Sequence, residues 1–244
     1  NLEKITNEQF GSVLKNSKSN SISAVDLKPQ VVRSVQPRFS WGIGPYVTHR
    51  LFNPDLPFSM EAGFEVASGY QITRGFNLFG AIRKSALTNL TDNNQRSDSP
   101  LPRVHSDWAR YDFGGQEGHI HELRLSYTKN LAPGLYGRAH AGLLEPFFAG
   151  VGGEVLFKPA QSQLAIGLDI HRVRTRDYRM KFGLLDYETT LGHVTLYYDA
   201  GEIFNIEVNA GRYLAGDWGA TTTISRRFGS GWEVGGYATF TDVP

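Results

Sequence analysis

Phe58-Ser59-Met60-Glu61-Ala62-Gly63-Phe64-Glu65-Val66-Ala67-Ser68-Gly69-Tyr70 is the stretch that decides the fold class. Phe58, Met60, Ala62, Phe64, Val66 and Tyr70 alternate with Ser59, Glu61, Gly63, Glu65 and Gly69. Successive side chains of a strand point to opposite faces, so this period of two predicts a strand with one oily and one polar face. The preceding stretch agrees. Phe39, Trp41, Ile43, Val47 and Leu51 are apolar, with Arg38, Ser40, Gly42, Gly44, Thr48 and Arg50 between them.

The pattern returns downstream. Leu123, Leu125 and Tyr127 oppose Glu122, Arg124 and Ser126; Leu164, Ile166, Leu168 and Ile170 oppose Gly167, Asp169 and His171. Phe204, Ile206, Val208 and Ala210 oppose Asn205, Glu207 and Asn209; Trp232, Val234, Ala238 and Phe240 oppose Glu233, Gly235 and Thr239. The whole chain reads as about eleven or twelve strands, each near the length that a tilted membrane strand needs.

Connections alternate in character. Short turns fall at Thr73-Arg74-Gly75, Ala132-Pro133-Gly134, Pro159-Ala160-Gln161, Ala200-Gly201 and Gly229-Ser230-Gly231. Longer connections lie between them, at 52–57, 85–118, 145–150, 174–186 and 215–217, although the last is itself short. Short turns at one end and long loops at the other is the plan of outer-membrane barrels. The expected fold is all-β: an antiparallel up-and-down transmembrane β-barrel of about 12 strands, or part of a larger barrel. Within the 85–118 connection, Ser106 to Phe113 reads as an extra strand or an excursion. Residues 1–36 lack the alternation and read as the tail of a preceding periplasmic domain with a linker, before a barrel segment over 37–244. Both ends read as internal to a longer chain.

Composition narrows the function classes. The 244 residues include no Cys, so a disulfide framework, a Cys-based zinc site and a cysteine nucleophile are excluded. With 25 basic and 24 acidic residues there is neither the basic excess nor the stripe of a nucleic-acid binder. No apolar run approaches a membrane helix. Gly at 27 residues and aromatics at 12% suit close-packed, bent strands. A soluble barrel or sandwich would also show alternation. However, its polar face would carry much more charge than the Gly, Ser and Thr found here.

Five stretches together resemble a known family: Arg38-Phe39-Ser40-Trp41-Gly42-Ile43-Gly44-Pro45-Tyr46, Leu144 to Glu154, Asp169 to Asp177, Phe182 to Tyr187, and Gly211 to Thr221. Their order and spacing are similar to those of the YjbH/GfcD family of exopolysaccharide and group 4 capsule proteins. The resemblance implies a lipoprotein of the bacterial outer membrane, larger than this chain. Its expected role is non-enzymatic, in secretion or surface assembly of polysaccharide. Expected partners are membrane lipid and lipopolysaccharide, an exopolysaccharide and other capsule-secretion proteins, and no cofactor is implied. An outer-membrane enzyme modifying lipid or glycan, or a plugged structural scaffold, is the alternative.

Candidate residues follow from parity. Glu61, Glu65, Arg83, Glu122, Arg124, Arg138, Asp169, Glu207 and Glu233 have lumen parity, where charges either line a path or pair and plug it. Arg172, Arg174 and Arg176, with Asp186 and Tyr187, form a group suited to acidic glycan, because guanidinium grips carboxylates bidentately. The three arginines share parity with lipid-facing Leu168 and Ile170, so headgroup contact is the plainer reading. Arg212, Tyr213, Asp217 and Trp218 offer sugar stacking, against a turn and an aromatic girdle. His119 and His121 share one side of a strand but find no third metal ligand on that face, so no metal site is expected. His193 with Ser225 or Ser126 is the nearest approach to a hydrolase pair, and no Gly-x-Ser-x-Gly elbow is present. Finally, Phe64, Val66, Leu123, Leu125, Ile166, Leu168, Ile206, Val208, Val234 and Ala238 should face out. Glu61, Glu65, Glu122, Asp169, Glu207 and Glu233 should face in.

Overall fold

A computed structural model describes residues 38–51, 57–90, 101–102, 104–201 and 204–243. The segment 1–36, read above as a preceding tail and linker, lies outside the described residues.

Eleven strands follow one another: β1 (Phe39–Leu51), β2 (Phe58–Thr73), β3 (Phe76–Thr88), β4 (His119–Ala132), β5 (Leu135–Leu143), β6 (Phe148–Phe157), β7 (Leu164–Arg176), β8 (Leu184–Asp199), β9 (Asn205–Arg212), β10 (Trp218–Arg227) and β11 (Glu233–Thr241). They form one sheet in sequence order, each strand antiparallel to the next. β1 and β11 are its two edges, and among the described residues they do not pair with each other. The short connections β2–β3, β4–β5, β6–β7, β8–β9 and β10–β11 gather at one end. The turns at Gly75 (φ +87°) and Gly134 (φ +75°) need the left-handed backbone that glycine adopts without penalty.

Of the two readings of residues 106–113, the excursion within the connection holds and the extra strand does not: α1 (Trp108–Gly115) is a helix within the β3–β4 connection. Trp108 and Tyr111 are three apart, the spacing of one helix face rather than of a strand face.

Register separates the two expected sets onto opposite faces. Ile43, Val66 and Ile82 are level across β1–β3, and Leu78 is level with Leu125. Val155, Leu168 and Val194 continue the same face across β6–β8, and Leu196 is level with Val208. The carboxylates Glu61, Glu65, Glu122, Asp169, Glu207 and Glu233 stand on the other face.

The apolar face is the bare one. Phe64 is 59% exposed, Leu168 56% and Val234 62%. Away from the β11 edge, where Tyr237 is exposed, the polar face is the more sheltered and buries Ser59, Thr189 and Thr195. Curvature explains the difference. Thr48 of β1 and Met180, just beyond β7, line one cavity of about 190 Å³. Six strand spacings laid flat would hold β1 and β7 about 29 Å apart. The sheet therefore curls with its polar face concave, and α1 lies across the concave side at the long-loop end.

Candidate functional site

The concave face carries a wall of charges that cancel locally. Arg83 Nε lies 2.6 Å from Glu65 Oε2 between β2 and β3, and Arg138 Nη2 lies 2.7 Å from Glu154 Oε1 between β5 and β6. Arg124 Nε is 3.1 Å from Glu122 Oε1, and Arg227 Nη2 is 2.9 Å from Glu233 Oε2. Tyr46 donates to Glu61. Glu207 is level with Tyr197 and Thr223 on the same face. Each ion pair joins residues of one strand or of neighbours, as cross-strand pairs do. The charges coat the wall rather than bridge the concavity.

Bridging occurs at the long-loop end. Asp112 of α1 pairs with Arg50 of β1 through two hydrogen bonds, one of them 2.9 Å from Nη2 to Oδ1. The Arg50 guanidinium stacks 4.1 Å from the Trp108 ring. One turn on from Trp108, Tyr111 packs 4.3 Å from the Phe147 ring, and its hydroxyl donates to Arg176 O at 2.8 Å. Arg110 donates to the Tyr178 hydroxyl at 2.7 Å. Together these contacts make a cap over the concave side.

Burial raises the Asp112 carboxyl above its ordinary range, and the Arg50 guanidinium opposes the rise. A carboxyl whose pKa is raised on folding loses stability as pH climbs through the folded value. Arg50→Met should therefore cost roughly 2 kcal/mol at neutral pH and recover part of it as pH is lowered toward 4. Urea midpoints at stepped pH measure this. A loss that stays constant from pH 4 to 8 would mean Asp112 is not the group responsible.

Of the glycan candidates only Arg174 and Asp186 pair side chain to side chain among the described residues; Tyr187, Arg212 and Tyr213 are engaged elsewhere. Arg172 pairs with Glu188 on the apolar face, level with the end of the Leu168–Ile170 row. Arg174 Nε donates to Leu185 O at 2.6 Å, and its Nη2 lies 3.7 Å from Asp186 Oδ1 in an exposed ion pair. Tyr187 donates to Leu214 O at 2.8 Å. Arg212 donates to Gly216 O at 3.2 Å and Thr190 O at 2.9 Å, and the Tyr213 hydroxyl meets Thr221 Oγ1 at 2.6 Å. Asp217 and Gly216 build the tight turn, and Trp218 stands exposed.

Arg176 is a correction. Its side chain is fully buried, so it does not face a glycan. Its guanidinium donates to four backbone carbonyls: Glu145 (2.7 Å), Ile120 (2.9 Å), Met180 (2.5 Å) and Lys181 (3.1 Å). Parity placed it with Arg172 and Arg174, but a register shift between Arg174 and Arg176 turns it to the other side.

Neither serine meets His193. Ser126 Oγ donates to Asn77 O and Ser225 Oγ to Glu233. His193 instead lies 3.3 Å from Asp169 through Nδ1 and edges onto Tyr213. His119 and His121 face each other with ring centroids 6.2 Å apart and line the loop-end cavity with Arg50, Arg83 and Asp112. The grouping that sequence reasoning missed is His140, Glu154 and His171, which converge from β5, β6 and β7 with Glu154 one register row away from the two histidines. Their equal parity was readable, but their convergence depends on the register of two hairpins.

The profile of a family described as "Exopolysaccharide biosynthesis protein YbjH" matches residues 2–244. The chain is also similar to a protein of Escherichia coli K12 named "Uncharacterized lipoprotein YjbH", at 34% identity over 220 residues, covering 84% of this chain. The aligned region spans 30% of that relative's length.

Proposed function

The chain belongs to the YjbH exopolysaccharide biosynthesis family, and from that premise we propose that it is the wall of an outer-membrane β-barrel that serves polysaccharide secretion or surface assembly without catalysing a reaction. One observation carries the reading: the sheet leaves its apolar face bare and shelters its polar face. A soluble sheet protein does the reverse, whereas a membrane barrel puts lipid against the apolar face and water in the lumen. Arg172 and Glu188 then mark where the apolar band meets headgroups or lipopolysaccharide phosphates. The locally cancelled charges on the concave wall leave a hydrated surface over which a glycan can pass.

Strand count supports membership of a larger barrel. In an up-and-down sheet of eleven strands, β1 and β11 run in the same direction. All-antiparallel closure therefore requires an odd number of further strands, and bacterial single-chain barrels have even totals.

Two assays test the reading on the full-length protein. Membrane fractionation with heat-modifiable migration in gels should place it, folded, in the outer membrane. Cysteine scanning of β1 and β11 should give disulfides to strands outside this segment. Recovery of the protein in the soluble fraction would end the barrel reading, and β1–β11 disulfides would end the larger-barrel form of it.

A second reading has its own support. The cap formed by α1 and the 177–183 connection covers the long-loop end, as in a plugged scaffold. Conductance in planar bilayers distinguishes the two. An open pore on removal of the cap favours passage, and continued closure favours the scaffold.

A further inference from the structure

Two adjacent register rows on the concave face of β5–β8 hold three of the six histidines that lie in the strands of this sheet. One row runs His140, Gly152, His171, and the next runs Arg138, Glu154, Asp169, His193. His140 and His171 stand two strands apart, with Gly152 between them. A Cβ at Gly152 would sit 2.7 Å from His171 Nε2 and 2.9 Å from His140 Nε2. Both rings thus lean over the space that the missing side chain leaves, and their centroids are 5.0 Å apart. Glu154 Oε1 lies 3.9 Å from His140 Nδ1 and 3.9 Å from His171 Nε2. One ligand atom from each of the three falls within 4.8 Å of the other two.

We propose that His140, His171 and Glu154 bind one divalent transition-metal ion of the zinc class. At 3.9 Å the rings are too far from Glu154 to hydrogen-bond. Two ligands of one tetrahedral zinc stand about 3.3 Å apart, so each Glu154–histidine distance contracts by about 0.6 Å and the two imidazole nitrogens, within 4.8 Å of each other, by at most about 1.5 Å. Imidazole nitrogen with carboxylate oxygen selects zinc-like ions over calcium or magnesium.

The surroundings match those of a metal site. Asp169 Oδ2 lies 3.3 Å from His171 Nδ1, the place of the carboxylate that orients a ligating imidazole through its other nitrogen. That contact is not aligned as a hydrogen bond, and the same Oδ2 lies 3.3 Å from His193 Nδ1. Glu154 and Asp169 bring two negative charges against the one positive charge of Arg138, which favours a dication. Arg138 already grips Glu154, so the ion must draw Oε1 from it and leave Oε2 to the guanidinium. Three protein ligands leave a fourth position open on the concave face. The site does not depend on barrel closure, because its ligands lie on three consecutive strands.

The test uses tag-free, full-length protein in detergent, stripped with chelator. Titration with Zn²⁺ should reveal one equivalent bound, and the Cu²⁺-loaded protein should give an electron paramagnetic spectrum with couplings from two imidazole nitrogens. His140→Gln and His171→Gln should each weaken Zn²⁺ binding at least about tenfold, and Asp169→Asn about tenfold. His105→Gln, at the long-loop end, should leave it unchanged. Absence of stoichiometric Zn²⁺ binding by the wild-type protein would overturn the proposal whatever the variants do. So would full binding by the His140→Gln, His171→Gln double variant, or a Cu²⁺ spectrum without nitrogen coupling.

Discussion

Arg176→Ala is expected to free the cap at the long-loop end and to cost roughly 3–5 kcal/mol, in the range seen when a buried charge network is broken. Arg176 is fully buried, and among the described residues its guanidinium donates to backbone carbonyls alone. Those carbonyls come from β4, from the β5–β6 connection and from the β7–β8 connection, so one side chain ties three parts of the chain together. Truncation leaves several dry carbonyls, each costing roughly 1–3 kcal/mol unless water enters. Water entry is itself the predicted structural change, because it needs α1 and the 177–183 connection to lift. Limited proteolysis should then cut within 101–118 or 177–183 in the variant and not in the wild type, with a lower urea midpoint. Arg176→Lys should recover less than half of the loss. An ammonium has three donors on one atom and cannot span carbonyls that a planar guanidinium reaches from both of its terminal nitrogens. An unchanged midpoint and unchanged protection in Arg176→Ala would show that the cap is held by other contacts.

Arg176 also marks the limit of what the sequence made legible. The strands were readable because a period of two repeats in each, as in Phe58 to Tyr70. The alternating short and long connections then implied up-and-down order, which the sheet has. Parity arguments fail where a strand slips by one residue. The shift between Arg174 and Arg176 is such a point, and it converts an outward-facing candidate into the buried centre of the cap. Helix α1 was missed for a different reason: eight residues inside a polar connection offer one apolar contact face, and Trp108 and Tyr111 alone do not define a period. The grouping of His140 and His171 depends on Gly152 standing level with both, and pairing across two hairpins is fixed by turn geometry rather than by local pattern.

Leu168→Arg is expected to destabilise the protein in lipid vesicles by about 2–4 kcal/mol, whereas Thr223→Arg should cost less than about 1 kcal/mol. The two positions differ in face, not in regularity of backbone. Leu168 lies in the middle of the bare apolar row, level with Val155 and Val194, and is 56% exposed. Thr223 lies on the polar face, level with Glu207 and Tyr237, where an added guanidinium meets a carboxylate and water. If lipid covers the apolar face, an arginine at residue 168 must carry water or headgroups with it into hydrocarbon, and that cost falls toward zero only near the interfaces. If water covers that face, replacing an exposed leucine with arginine should change stability by no more than about 0.5 kcal/mol. Because side chains alternate strictly, no tilt or rotation of the sheet can exchange the two outcomes without a register slip of β7 or β10. Urea titrations of both variants in vesicles therefore decide which solvent meets the apolar face. Equal effects at the two positions would remove the membrane reading, and the export role would fall with it.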